Sequence, residues 1–290
     1  MYSAINSLWE DGLNVNNKRA APPLALRFME EGTLESYGYG VHYVRWGSQG
    51  PKVLLVHSMG MDAHSMDQLA GSLGETHQVL SLTILGHGDS DSPARNLPLD
   101  EHTEIMRGCY MRLGFHPTVL VGHSVGGMMG MILAAKHPEE LRGLVLVDIA
   151  PFEATGRPTR PEPPEHLKDE AEARAYLKER YPDFTPWYVE NRLRHAFREK
   201  EGRLWLKPTG SAVRGGLTVN LWPYVEKIKT PMLLLIGESS TLVTPETRAR
   251  MERTLPSLEA EVVNGAGHMI PQEKSEEFEK LVRRFLDKVE

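Results

Sequence analysis

Gly122-His123-Ser124-Val125-Gly126 places a serine two residues from a glycine on either side. The apolar run Val119-Leu120-Val121 leads into it, and Met128-Met129-Gly130-Met131-Ile132-Leu133-Ala134-Ala135 follows. This is G-x-S-x-G with a strand before and a helix after, the context in which a sharp turn lifts a serine hydroxyl above a sheet. The two glycines let strand and helix pass closely without side-chain clashes, and the serine takes a strained backbone conformation. The first helical N–H groups point at whatever the hydroxyl attacks. A serine hydroxyl is a weak nucleophile at neutral pH, so the chemistry needs an adjacent base.

The segments around this turn alternate strand and helix. Lys52–Val56 reads as a short strand buried on both faces, ending in His57-Ser58-Met59-Gly60-Met61-Asp62. A helix is predicted over about Ser65–Leu73, a strand over Gln78–Thr83 and a helix over Leu99–Leu113. Gly143–Val147 is another buried strand, closed by Asp148. Later come a strand at Pro231–Ile236, a helix at Pro245–Thr254, a strand at Leu258–Val263, a loop carrying Gly267-His268, and a closing helix at Lys274–Val289. Upstream, Leu24–Glu30 and Leu34–Trp46 read as antiparallel strands, preceded by a short amphipathic helix at Met1–Trp9 and an irregular lead-in at Asn14–Pro23. Phe152–Pro164 is proline-rich and reads as a linker. From Glu165 to Leu217 the pattern is helical, charged and aromatic, with no buried-strand signature. The expected organisation is a core over 1–151 (with an N-terminal extension over about 1–25) and 218–290, interrupted by a helical cap over 152–217.

Composition narrows the function classes. Of 290 residues, 40% are hydrophobic and 25% charged, which is ordinary for a soluble globular protein. The net charge of −6, with no Lys/Arg cluster, argues against a nucleic-acid partner. Cys109 is the single cysteine, so an intramolecular disulfide and a cysteine metal cluster are excluded. No apolar run reaches the roughly 18 residues of a membrane span, and the first residues lack a signal-peptide pattern. A cytoplasmic location without membrane association is expected, and a homo-oligomer stays open. The histidines show no HExxH or paired spacing, so neither a catalytic metal nor a cofactor is expected.

In order and in motifs, the chain from about Leu24 resembles the α/β-hydrolase fold: a mostly parallel central sheet flanked by helices, with an inserted cap. Four local matches carry the resemblance: His57-x-x-Gly60 after a strand, Gly86-His87-Gly88-x-Ser90, the serine turn, and Gly265-Ala266-Gly267-His268. It implies Ser124 as nucleophile and His268 as the base that takes its proton and returns it to the leaving group. The oxyanion donors it implies are the backbone N–H groups of Val125 and Met59. His57 and His87 are expected to hydrogen-bond loop backbone, and His123 to point away from the site. Ser58 stands where relatives carry glycine; its side chain either narrows the pocket or adds a donor. Met128, Trp187 and Tyr188 are candidate lining residues, with core packing as the alternative for each.

The acid is the point of departure. Relatives usually carry aspartate in Gly-x-x-Asp-x-x-x-x-Pro after the strand at Pro231. Here Gly237-Glu238-Ser239-Ser240-Thr241-Leu242-Val243-Thr244-Pro245 puts Ser240 at that position. A subset of the family, including some haloalkane dehalogenases and zearalenone-type lactone hydrolases, places the acid at the end of the strand after the nucleophile's. That position is Asp148. Glu238 and a triad lacking an acid are the alternatives. The resemblance therefore implies a serine hydrolase acting on a small-molecule carboxylic ester or lactone. The alternatives are a carbon–carbon bond hydrolase on the same scaffold and a non-catalytic small-molecule binder. Serine at position 124 disfavours dehalogenase and epoxide hydrolase chemistry, which need aspartate there.

Overall fold

A computed structural model of the chain describes residues 29–151, 163–210 and 219–290. The segments expected at Met1–Trp9, Asn14–Pro23 and most of the proline-rich stretch lie outside these residues. In chain order the strands are β1 (Met29–Ser36), β2 (Tyr39–Trp46), β3 (Lys52–Val56), β4 (Gln78–Leu82), β5 (Thr118–His123), β6 (Leu141–Val147), β7 (His166–Leu167), β8 (Phe197–Lys200), β9 (Arg203–Leu206), β10 (Met232–Gly237) and β11 (Leu258–Val263). Eight of them form one sheet in the order β1-β2-β4-β3-β5-β6-β10-β11. β1–β2 and β2–β4 pair antiparallel; every other pair is parallel. The wholly apolar runs in β3, β5, β6 and β10 follow from this position, because helices cover both faces of a parallel sheet.

Apolar residues pack in two layers. On one face, α2 (Leu99–Arg112), α3 (Val125–Lys136) and the helix Pro245–Thr254 bury Ile105, Met128, Ile132 and Met251 against Leu54, Leu120 and Leu144. On the other, α1 (Asp67–Leu73) and the terminal helix Ser275–Val289 bury Leu69, Leu73, Phe278 and Phe285 against Leu55, Val121 and Val145. Strand order reverses at β3, since β4 lies on one side of it and β5 on the other. The loops leaving β3 and β5 diverge there, and a ligand crevice opens at such a switch point.

Two boundaries differ from the sequence reading. The first hairpin turns at Tyr37-Gly38, so β1 runs through Glu31-Gly32-Thr33, which separates the two expected strands. Tyr37 and Gly38 have φ of 51° and 81°, the pair of positive values that a type I′ turn requires. The insertion between β6 and β10 is also not purely helical. Beside α4 (Glu170–Arg180) and α5 (Pro186–His195) it carries a three-stranded sheet in the order β7-β9-β8. These strands have two to four residues, and of the three only β8 is largely exposed and charged, so each is too short to leave a buried-strand signature. Their hairpin turns at Glu201-Gly202, again with two positive φ values.

Candidate active site

Ser124 sits between the end of β5 and the start of α3 at φ 52° and ψ −113°. A non-glycine residue held there stores strain of order 1–3 kcal/mol, which only a firmly packed surround maintains. The surround is visible in the glycines. A Cβ on Gly126 would lie 2.2 Å from the Val56 carbonyl oxygen, and one on Gly122 would lie 2.5 Å from that of Gly126. The Ser124 N–H donates to Val147 O at 3.0 Å, which ties the turn to β6. Ser124 is 1% exposed, and its Oγ has no hydrogen-bond partner among the described residues.

Asp148 follows β6 with φ 46° and is fully buried. Its N–H donates to Leu235 O at 2.8 Å. Its Oδ1 accepts the Gly237 N–H at 3.1 Å, and its Oδ2 lies 2.7 Å from His268 Nδ1. An ionised carboxylate only accepts, so Nδ1 carries the proton and Nε2 is left with its lone pair. Ser240 is not an empty position: its hydroxyl donates to Asp148 Oδ2 at 2.5 Å. The serine at the usual acid position thus holds the carboxylate that arrives from β6. Glu238 does something else; it is exposed and accepts the Gly265 N–H at 2.6 Å, bracing the turn before His268.

The His268 loop is clamped from two sides. The Ser239 N–H and hydroxyl both donate to Ala266 O, at 3.0 and 2.9 Å. His123 Nε2 lies 2.9 Å from the His268 carbonyl oxygen, so its N–H donates there and fixes the loop backbone. Burial lowers the His123 pKa well below the ordinary histidine value, keeping the ring neutral. Sequence reasoning set His123 aside. Strand parity carried the signal, because Val119, Val121 and His123 share the face over which the last loop passes.

The β3 loop forms the other wall. Met61 N–H bonds Ser58 O at 3.1 Å across a turn whose third residue, Gly60, has φ 81°. Met59 N–H takes no part in that bond, and Val125 N–H heads α3, where helix amides lack an internal partner. His57 accepts the Ile84 N–H at Nε2 and donates Nδ1–H to Ser58 O, and burial pushes its pKa down to about 4. Burial also pushes His87 down to about 3; its Nδ1 lies 3.2 Å from Leu85 O. Both rings brace the loops they come from.

Residues 163–210 reach this wall through a buried ion pair. Arg192 of α5 donates to Asp62 at 2.6 Å and to Gly60 O at 3.4 Å, with Arg192 4% and Asp62 5% exposed. Burial raises the Asp62 carboxyl, but Arg192 and the neighbouring histidines outweigh it and hold the pKa well below the carboxylate range. Composition gives no sign of such a pair, since its partners are far apart in the chain.

The expected lining residues fall in different places. Ser58 is buried in the β3 loop, its hydroxyl unpartnered among the described residues. Met128 is wholly buried in the core under the sheet. Tyr188 is 1% exposed and packs with Phe184, Met61 and Met269, joining insertion to core. Trp187 is 42% exposed and meets the Tyr188 ring edge-on, which makes it a surface residue. Packing therefore accounts for Met128 and Tyr188, the alternative the sequence left open.

With a strained serine, a histidine and a buried carboxylate at the strand ends of a largely parallel sheet, the chain belongs to the Alpha/beta hydrolase family, whose model matches residues 53–281. It is similar to 2-(acetamidomethylene)succinate hydrolase of Mesorhizobium japonicum, 27% identical over 84% of this chain and 91% of that one. It is likewise similar to the esterase Rv0045c of Mycobacterium tuberculosis, 26% identical over 84% of this chain and 85% of that one. The crystal structure of E-2-(acetamidomethylene)succinate hydrolase shares the fold, with a TM-score of 0.79 at 24% identity over 89% of this chain and 99% of that one. Among the described residues no helix is long and apolar enough to cross a membrane.

Proposed function

We propose that the chain is a serine hydrolase that cleaves a small carboxylic ester or lactone through an acyl-enzyme. Ser124 attacks the carbonyl while His268 Nε2 takes its proton. The oxyanion is held by the N–H groups of Met59 and Val125. His268 returns the proton to the leaving oxygen, then activates the water that releases the acid. Asp148 orients His268 and stabilises its imidazolium, with Ser240 and the Gly237 N–H fixing the carboxylate. The observation that carries this reading is the 2.7 Å contact of Asp148 with His268, whose backbone is held by His123, the residue before a serine at φ 52°. It favours a working triad over a silent binder, because an acid serves the histidine even though Ser240 occupies the usual position. Likeness to an esterase supports the ester; a carbon–carbon bond hydrolase using the same serine set is the second reading.

The test is p-nitrophenyl ester hydrolysis with and without a serine-reactive phosphonate. Hydrolysis abolished by one adduct on Ser124 is expected. Absence of both hydrolysis and adduct overturns the proposal.

A further inference from the structure

A second cluster lies at the antiparallel edge of the sheet, outside the serine site. Glu31 of β1 and His42 of β2 are diagonal neighbours on one face, since Glu31 pairs with Val44 and Thr33 with His42. His64 joins them from the short turn Ala63–Met66 that follows the β3 loop. His42 Nε2 lies 2.8 Å from Glu31 Oε1, and His64 Nε2 lies 3.7 Å from the same oxygen. The two rings are tilted by 41° with centroids 6.0 Å apart.

What sets the cluster apart is how its rings are held from behind. His42 Nδ1 lies 2.9 Å from the Thr83 hydroxyl, and His64 Nδ1 lies 3.0 Å from Asp67 Oδ2. Asp67 is in turn bonded by Asn191 of α5 at 3.0 Å. Anchoring one ring nitrogen on an oxygen aims the other at a ligand and fixes its tautomer, the outer-shell arrangement of metal-binding histidines. Both side chains are about 95% buried, His64 Nε2 has no hydrogen-bond partner among the described residues, and Glu31 is 44% exposed, leaving an entry from solvent.

We propose that Glu31, His42 and His64 bind a divalent transition ion of the Zn²⁺ class. A tetrahedral ion with ligand bonds of about 2.0–2.2 Å sets donor atoms roughly 3.3 Å apart. The two observed separations from Glu31, 2.8 and 3.7 Å, bracket that spacing. Two imidazoles and one carboxylate suit Zn²⁺, Ni²⁺ or Cu²⁺ better than Mg²⁺ or Ca²⁺, which favour all-oxygen sets. Solvent completes the coordination on the Glu31 side. The bound ion ties the β1–β2 hairpin to the loop that carries Met59, and takes no part in the Ser124 reaction.

The test uses tag-free, chelator-treated protein titrated with ZnCl₂ by calorimetry, with the visible spectrum of the Co²⁺ form as a readout of tetrahedral coordination. One site in the micromolar range or tighter is expected, with a tetrahedral Co²⁺ spectrum. Glu31→Gln, at a partly exposed position the fold tolerates, weakens binding at least about tenfold; His64→Gln does the same if it folds. His268→Gln, in the serine site, leaves the affinity unchanged. No saturable binding, an unchanged affinity in Glu31→Gln, or loss of binding in His268→Gln overturns the proposal.

Discussion

Replacing Asp148 by asparagine tests the account at the residue where the chain departs from its family's usual pattern. The carboxylate accepts from three groups: Gly237 N–H on Oδ1, and Ser240 and His268 on Oδ2. Asparagine offers one acceptor oxygen and one NH₂. With the NH₂ towards His268, Nδ1 must accept, the ring proton moves to Nε2, and Nε2 loses the lone pair that takes the Ser124 proton. With the NH₂ towards Gly237, two donors face each other in a buried site. Either orientation also removes the charge that stabilises the imidazolium. In a serine triad this change lowers kcat by about 10⁴, or roughly 5.5 kcal/mol in the barrier. The assay is steady-state p-nitrophenyl ester hydrolysis, with thermal unfolding to show that the variant is folded. KM is expected within a few-fold of wild type, as ground-state binding does not use Asp148. A kcat within tenfold of wild type contradicts this role for Asp148. Because Ser240 Oγ already touches Oδ2, adding Ser240→Asp to Asp148→Asn returns an acid to the histidine and recovers at least about tenfold of the lost rate.

Ser240→Ala removes a donor from a buried carboxylate, so kcat falls by roughly 10- to 100-fold, the equivalent of a 1.5–3 kcal/mol charged hydrogen bond, read in the same assay. Arg192→Met leaves Asp62 buried without its partner and costs about 3–5 kcal/mol of stability, measured by urea unfolding; a cost below about 1 kcal/mol contradicts the buried pair. Acid unfolding follows from His57, His87, His102 and His123, held neutral in the fold by burial, with pKa values pushed to about 4, 3 and 4 for the first three and well below the ordinary value for His123. Unfolded, each titrates near 6.5, so unfolding takes up protons between about pH 6.5 and 4. Stability then falls as pH drops through that window, by up to about 1.4 kcal/mol per pH unit for each group. Circular dichroism should place the acid midpoint between about pH 4 and 6; a fold intact at pH 3.5 contradicts it.

The parallel core was legible because position and composition agree there. β3, β5, β6 and β10 are buried on both faces and read as unbroken apolar runs. The serine turn was legible because its glycines answer steric contacts with backbone atoms. Asp148 could be named only by its place at the end of β6, since no local pattern marks it. Ser240 read as a gap because its meaning lies in a hydrogen bond to a residue distant in the chain. The same limit hid Arg192–Asp62 and the His123 contact with the His268 backbone, pairings made by the tertiary fold alone. The small sheet of β7–β9 was not legible because strands of two to four residues are too short for a period that separates them from loops.

The central claim is that Ser124 becomes acylated during turnover. Acid quenching during steady-state hydrolysis of a p-nitrophenyl ester, followed by mass spectrometry of the peptide containing Ser124, tests it most directly. One acyl group on that peptide is expected, present in wild type and absent in Ser124→Ala, which also fails to hydrolyse the ester. Turnover with no acylated Ser124, or an acyl group on another residue, would contradict it.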